Sequence, residues 1–555
     1  MSSKYRAGPS ANFGLGKAKS KFVALLNSDT EVSWGWDTSL INELQNDLNL
    51  AAVGPLSNAA TSQSTLSNLN PYEYASTTRP ILPSVGYLNG FCIMFNHQIL
   101  LQVGYFDAQN FSPAYGEEND WAIRAIQMGF TLKVVDNAYV SHKGSVSYGE
   151  SMRQKLSARA QANLQVKYPS EINAAHWQMT GLNPALETAK QRWGFEEHRR
   201  SLIKEINKYF GLRIHFVLPA GTPGGGIKVI MQEIRVLRAS GVDARIVNRQ
   251  DLQPLFEKYH PAHGIPIVWV SDFEKMPKEA LDCDVLVATL YLSTFWIKRS
   301  LSHFQLSPKL AYYVQDYEPW FFPNDSEEFV MATRSYDENL EWKFLTKTEW
   351  CSGILNEKHN IKSHNLGPSY ESMNYYPGNT LSRYRNKPSI SLMVRHESPR
   401  RNPLGTIEMA NKITQTFGES LNVIVFGDQS REGLADAIDH RGILTSLGVA
   451  ELYRNTDFFL DLSDFQAMGL TTIEAMASGV IPISTSPGGV SELFEPGVSG
   501  FYFPNADSTE KIFEVLADFV REPSSFDEIS RNSIGTTTRF LPEYSALKLV
   551  ETLGN

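Results

Sequence analysis

The sequence predicts an α/β protein: a small sheet domain followed by two doubly wound parallel-sheet halves with a cleft between them. Three observations carry that prediction. From residue 211 the chain runs RIHFVLP, GTPGGG, IKVIMQEIRVLRASG and DARIV. An apolar run, a glycine turn, an amphipathic helix and a second apolar run are how a parallel βαβ unit starts. A second unit of this kind opens at SISLMVRH (389–396) and continues through NVIVFGD. It ends on FFLDLS, a turn at Gly469, a helix carrying Glu474, and a last buried run, VIPIS. Residues 1–150 instead alternate apolar runs with loops: KFVALLNSD, AAVGP, GFCIMF and LKVVDNAYV. Residues 151–210 hold no strand pattern and read as a helical connector, so the expected domains are 1–150, 151–210, 211–385 and 386–555.

Composition narrows the function classes. A chain of 555 residues is too long for one core. Its 42% hydrophobic and 20% charged content fits a soluble globular protein. A net charge of −9 disfavours nonspecific nucleic-acid binding, which needs a basic surface. No eighteen-residue apolar run occurs, and the opening MSSKYRAGPSANFG lacks the apolar centre of a secretory signal. Cys92, Cys283 and Cys351 are scattered and odd in number, which points to a reducing, cytoplasmic setting without a disulfide framework or zinc site. The connector is basic, with Lys155, Arg159, Lys190, Arg192, Arg199 and Arg200, so peripheral contact with anionic lipid stays open beside a solvated helix.

Taken in order, the first chemistry-bearing group is Asn27 and Asp29, just past a buried strand. Such residues at a strand end either form a turn or hold a divalent cation on a diphosphate. Glu117, Glu118 and Asp120 then open an amphipathic helix. They suit the helix dipole, and one of them could act as a general base on an acceptor hydroxyl. His142 follows as a possible metal or phosphate contact. The order NSDTEV, NGFCIMFNHQILLQVGYFD, GEENDWAIRA, SHKGS resembles glycosyltransferase family 2 of the GT-A fold, in its rhamnosyltransferase-like branch. The resemblance implies that Asn27-Ser28-Asp29 binds a metal-diphosphate (Mn²⁺ or Mg²⁺), that Glu118 is the catalytic base, and that His142 is metal-associated. Family members carry a further βαβ unit before this point, whereas only ANFGLGKAKSKF stands here. The expectation is therefore a half-built parallel sheet with an open edge.

In the second region, GTPGGGIKVIMQE places Gly225 and Gly226 at a strand-to-helix turn, where backbone can approach a donor phosphate. YYVQDYEPWFFP sets aromatics beside Asp316 and Glu318, suited to stacking on sugars or to packing between domains. VRHESPRRNP supplies Arg395, Arg400 and Arg401 after a strand, where guanidinium groups fit a diphosphate. Residues 464–482, DFQAMGLTTIEAMASGVIP, complete a phosphate-and-ribose kit. Together these resemble glycosyltransferase family 4 of the GT-B fold, and YYVQDYEPWFFP resembles its bacterial rhamnosyltransferase branch. The resemblance implies that Arg395 and Arg401 neutralise the departing diphosphate and that Gly469, Leu470 and Thr471 offer it backbone amides. It also implies that Glu474 holds the ribose, that Gly488 and Gly489 shape a neighbouring loop, and that Glu492 opens the following helix. The family's first glutamate is replaced by Gln466, which carries no charge.

The expected function is transfer of a hexosyl or deoxyhexosyl group, such as rhamnose, from a nucleotide diphosphate sugar. The acceptor would be an oligosaccharide or lipid-linked glycan of a bacterial surface polysaccharide such as O-antigen. The family 4 resemblance implies retention of configuration without a metal. The alternative is that only the second region is catalytic and the first is an acceptor-binding or scaffolding domain. No motif encodes the donor sugar, the base or the linkage.

Overall fold

The computed structural model describes residues 7–33, 35–65, 80–111, 114–143, 150–221, 224–261, 263–378, 387–485, 487–504 and 508–554. The chain divides into two units: residues 1–198 with 376–384, and residues 199–375 with 385–555.

Unit 1 is built on five strands: β1 (Phe22–Leu26), β2 (Thr30–Val32), β3 (Leu50–Leu56), β4 (Cys92–Asn96) and β5 (Thr131–His142). Their order is β1-β4-β3-β5-β2. Only β3 and β5 run parallel, while β4 is antiparallel to β1 and β3, and β2 to β5. The sheet is thus mixed, which corrects the expected parallel one. The reason lies in burial: β3 is buried at every position and β4 at all but its last. A strand covered on both faces reads as a continuous apolar run whichever way its neighbours point. Leu40 and Leu44 of the helix Trp36–Asn46 cover one face, and Trp121, Ala122 and Ala125 of the helix Glu117–Gln127 cover the other.

The stretch 151–210 is helical, as Glu150–Lys167, Ser170–Gly181 and Pro184–Ile206. Some of its apolar residues pack: Ala160, Leu164 and Tyr168 close over Phe111 and Ile123, and Leu186 joins the core of β3 and β4, while Val166 and Phe210 stay exposed. From Arg199 onward it belongs to unit 2.

Unit 2 holds two all-parallel sheets. The first contains β6 (Arg213–Val217), β7 (Asp243–Arg249), β8 (Ile267–Val270), β9 (Val285–Ala288), β10 (Lys309–Tyr313), β11 (Lys343–Thr346) and β12 (His364–Asn365). The second contains β13 (Ser389–Met393), β14 (Asn422–Phe426), β15 (Asp439–His440), β16 (Phe458–Asp461), β17 (Ile481–Ser484) and β18 (Phe501–Tyr502). The orders are β12-β11-β10-β9-β6-β7-β8 and β15-β14-β13-β16-β17-β18. In each, strand order reverses beside the first strand, between β6 and β9 and between β13 and β16. Ligands of open α/β sheets bind in the crevice at the carboxyl ends of such strands.

The last helix, Pro542–Gly554, leaves its own half and inserts Ala546, Leu549, Val550 and Leu553 among Ile214, Phe216 and Leu345 of the first. Lys309 and Lys343 donate to the carbonyls of Leu553 and Thr552, satisfying acceptors at the helix end. A buried ion pair, Lys347 Nζ to Glu233 Oε1 at 2.6 Å, adds a bond to Ser545 at 2.8 Å and ties this helix down. No helix of the described residues is long and apolar enough to cross a membrane.

Candidate active site

The site grows from the carboxyl ends of β13 and β16. After β16 the chain turns through Gly469, whose φ of 70° is left-handed, into the helix Leu470–Ala477. A Cβ at Gly469 would stand 3.0 Å from Val490 and 3.1 Å from Leu493, so both backbone and packing require glycine. The first-turn N–H groups of this helix are the amides expected to meet a diphosphate. Beside them the Thr471 Oγ1 is buried and has no hydrogen-bond partner. Glu474 is buried on the inward face, with the Tyr375 hydroxyl close enough to act on its charge. Burial pushes its carboxyl up to about 7, against the opposing pull of Lys228 and Tyr375.

After β13 the loop tightens into the turn Pro399–Arg401, and Asn402 caps the helix Pro403–Phe417 by accepting from the Gly405 N–H at 3.1 Å. This aims Arg401 at the same crevice. Its Nη1 is buried with no acceptor in the protein. Burial pushes the guanidinium down to about 10; Asp461 and Asp316 oppose that fall, and Arg400 and Arg395 add to it. Arg395 is exposed on the same loop and acts on both Arg401 and Glu474 through its charge. Arg400 is already committed: it donates to Asp316 at 2.9 Å and lies 4.5 Å over the Phe321 ring and 5.6 Å over that of Phe465.

The replacement at Gln466 has a local explanation. Its amide donates to the Asp461 carboxylate, which also takes the Ser463 N–H at 3.0 Å and Oγ at 2.6 Å. A glutamate here would press a second carboxylate against Asp461, whereas glutamine supplies a donor. Gln466 is 2% exposed and part of the scaffold. Gly488 and Gly489 seat against the backbone carbonyls of Gln466 and Ala467, where an added Cβ would come within 2.0 Å.

The glycine loop lies opposite. Gly224 precedes the helix Gly225–Ala239. A Cβ at Gly225 would be 3.3 Å from Leu470, and one at Gly226 would be 2.7 Å from the Gln315 Oε1. Two helix N-termini, one from each half of unit 2, therefore approach one another. Glu318 is structural: it accepts from the Tyr291 N–H and the Tyr312 hydroxyl, both at 2.8 Å, and burial pushes it up to about 7. Glu492 corrects an expectation. It opens no α-helix; it ends the short turn Gly489–Glu492 and accepts the N–H groups of Glu349 and Trp350 in the other half. A cavity of about 450 Å³ touches Asn402, Ser463, Asp464, Thr485 and Ser508 but not Arg395, Arg401, Thr471 or Glu474.

The residues missed from sequence are Asp461, Lys228, Tyr375 and Gln315. Only Asp461 left a signal, an acid inside the apolar run FFLDLS.

In unit 1 the structure brings Asp29 and His142 together, with Oδ1 and Nε2 3.4 Å apart, because β2 pairs Thr30 with His142. Asn27 is exposed at the end of β1. The His142 Nδ1 lies 2.7 Å from the Ala59 carbonyl, which only accepts, so Nδ1 carries the hydrogen. Nε2 then faces the Asp29 carboxylate with its lone pair, two acceptors that one cation could share. Ligands adjacent on an octahedral ion stand about 3 Å apart, so this spacing fits a divalent cation. Among the described residues no three His, Cys, Asp or Glu side chains converge on one point. Burial raises Glu118 above the usual carboxylate range. Glu117 is pushed up to about 8 by burial and by Glu118, and its Oε2 is buried without a partner. Asp120 is used structurally, on Arg124 at 3.0 Å, Lys167 at 2.6 Å and the Tyr168 hydroxyl at 2.6 Å.

Residues 382–536 match the family described as Glycosyl transferases group 1. Sucrose synthase 1 of Hordeum vulgare is 29% identical over 179 residues, 27% of this chain and 22% of that protein. A sucrose synthase of Acidithiobacillus caldus is 42% identical over 82 residues, 14% of this chain and 10% of that protein. The chain thus spans less than a quarter of the curated relatives it matches. Among solved structures, Alr3699/HepE of Anabaena, in complex with UDP and glucose, aligns with a TM-score of 0.51 at 17% identity. It covers 62% of this chain and 99% of that one, a likeness of fold. Residues 382–536 therefore match glycosyl transferases group 1, and the two-sheet unit shares a GT-B fold.

Proposed function

We propose that unit 2 transfers a hexosyl or deoxyhexosyl group from a nucleotide diphosphate sugar to a glycan acceptor. One observation carries this reading: Arg401 Nη1 and Thr471 Oγ1 are buried, unpartnered donors beside a helix N-terminus at a topological switch point. Buried donors without acceptors are costly, and a diphosphate would satisfy both. Arg401 and Arg395 would neutralise the leaving diphosphate without a metal, Gly469, Leu470 and Thr471 would offer amides, and Glu474 would accept from ribose hydroxyls. The group 1 match and the neighbour solved with UDP and glucose support a nucleotide sugar donor. The finer reading, rhamnose or another hexose passed with retention to an oligosaccharide or lipid-linked surface polysaccharide at the cytoplasmic face of the membrane, rests on the motif resemblance. A thermal-shift screen of nucleotide diphosphate sugars tests it, since a ligand of the native state raises its melting temperature. No shift with any of them, or an equal shift in Arg401→Ala, would sink the assignment.

A second reading concerns unit 1, where the Asp29–His142 approach favours a divalent cation held with the Asn27 amide oxygen. Bound there, Mn²⁺ or Mg²⁺ would supply charge for a donor diphosphate, and Glu118 would serve as base toward an acceptor hydroxyl. Titration with Mn²⁺ at pH 8, read by electron paramagnetic resonance, should show one site that His142→Ala removes. Without such a site, unit 1 is an acceptor-binding or scaffolding module.

A further inference from the structure

The segment GGVSE ends on a residue that the donor chemistry does not use. We propose that Glu492 is a positioning residue of the cleft, holding the donor half against the first half by capping that half's helix Glu349–His359; this rests on reading the cleft as the nucleotide-sugar site. The Glu492 carboxylate accepts the Glu349 N–H at 3.0 Å and the Trp350 N–H at 2.6 Å. These are first-turn donors that a helix cannot satisfy by itself, at the end where its dipole favours an anion. The helix's own cap, Thr348, is bonded in the opposite direction. Its Oγ1 accepts from the Cys351 N–H at 3.3 Å and donates to the Ala467 carbonyl at 2.8 Å. Gly489 makes this seat possible, since a Cβ there would fall 2.5 Å from the Thr348 Cγ2.

Ala467 stands two residues before Gly469, so the turn that presents the diphosphate amides is registered against the other half through one hydroxyl and one carboxylate. The far end of the same helix is tied as well. His359 bonds Asp337 at 2.7 Å and the Tyr317 hydroxyl at 2.9 Å. Tyr317 follows Asp316, the partner of Arg400, which adjoins Arg401. The helix Glu349–His359 is therefore held at its start by the donor turn and at its end by the loop that braces the arginines. Without Glu492 the turn at Ala467–Gly469 is no longer fixed with respect to Arg401, and binding a diphosphate must restore that alignment.

The test compares wild type, Glu492→Ala, Glu492→Gln, Thr348→Val and the Glu492→Ala/Thr348→Val pair by calorimetry with UDP, GDP, dTDP and ADP as probes. Hydrogen exchange at the Glu349–Cys351 amides is followed in parallel. Glu492→Ala should weaken the diphosphate that wild type binds by about tenfold, within the usual range for coupled sites. Glu492→Gln, which keeps one acceptor oxygen, should recover part of that loss. Thr348→Val, on the opposite half, should weaken binding too, and the pair should lose less than the product of the two because both act through one junction. Exchange at Glu349 and Trp350 should quicken in the alanine variant. Equal affinity in wild type and in both folded Glu492 variants overturns the positioning role. Multiplicative losses in the pair overturn the shared junction. A wild type that binds none of the four probes instead overturns the donor-site reading itself.

Discussion

The two units place acidic and basic groups in opposite ways. In unit 1 the groups without a partner are acceptors: Asp29 faces the His142 Nε2, and Glu117, crowded by Glu118, keeps Oε2 buried and unbonded. In unit 2, the Arg401 Nη1 and Thr471 Oγ1 are buried with no acceptor, while Arg400 bonds Asp316 and Gln466 bonds Asp461. Unpaired donors set among satisfied ones mark a place built for something else to fill. Acceptors facing one another mark a place that a cation or a proton could bridge.

The largest effects should therefore fall on unit 2. If Arg401 neutralises the leaving diphosphate as proposed, Arg401→Ala should cut transfer by about 10²- to 10³-fold, the usual cost of one electrostatic stabiliser. Glu474→Ala should abolish measurable turnover by loosening the nucleotide. Steady-state kinetics on the donor identified by thermal shift checks both, and wild-type turnover in either variant would move the chemistry elsewhere. Metal removal sharpens the comparison. Nucleotide binding at unit 2 should survive excess EDTA, because its charge partners are guanidinium groups and amides. Loss of that binding on chelation would place the donor at Asp29 and His142.

A comparable effect, on stability rather than rate, comes from the buried pair that fastens the last helix. Lys347→Met leaves Glu233 buried without its cation and should cost about 3–5 kcal/mol. Urea denaturation reads the loss. Replacing both residues with apolar ones of similar volume should recover most of it, because the desolvation cost of the pair goes with its attraction.

Much of the proposed donor site is visible in the sequence because its segments are local. Gly469, Thr471 and Glu474 lie on one strand–turn–helix segment, and Arg395 and Arg401 on another, so spacing alone brings each set together. What connects segments is not visible. Glu492 carries no sign that its partners are the amides of Glu349 and Trp350, some 140 residues earlier, and Lys228 none that it acts on Glu474. The strands of unit 1 were legible as strands, but their directions were not, since β3 is buried along its whole length. The connector's basic residues suggested a solvated surface, and its sparse apolar positions, Ala160, Leu164 and Leu186, proved to be the ones that pack.

The finest prediction separates binding from stability at Glu474. Burial raises its folded-state pKa from 4.5 to about 7. A raised carboxylate pKa means that the folded protein holds its proton more tightly than the unfolded chain does. The associated stability is present in full below pH 4.5, is lost as pH rises between 4.5 and 7, and is gone above 7. The shift corresponds to about 3 kcal/mol, at about 1.4 kcal/mol per unit. Glu474→Gln keeps the shape but cannot ionise. Its stability relative to wild type should therefore rise by up to about that amount from pH 4.5 to pH 8. Over the same range wild-type nucleotide affinity should increase, because the ionised carboxylate is the better acceptor for two ribose hydroxyls, while the variant's affinity stays low and flat. Melting and calorimetric titrations at pH 5, 6, 7 and 8 measure both trends on one pair of proteins. A variant whose stability advantage does not grow with pH would show that Glu474 is not held as a buried, raised carboxyl. A variant that gains stability but binds nucleotide as wild type does would show that the residue is buried for packing alone.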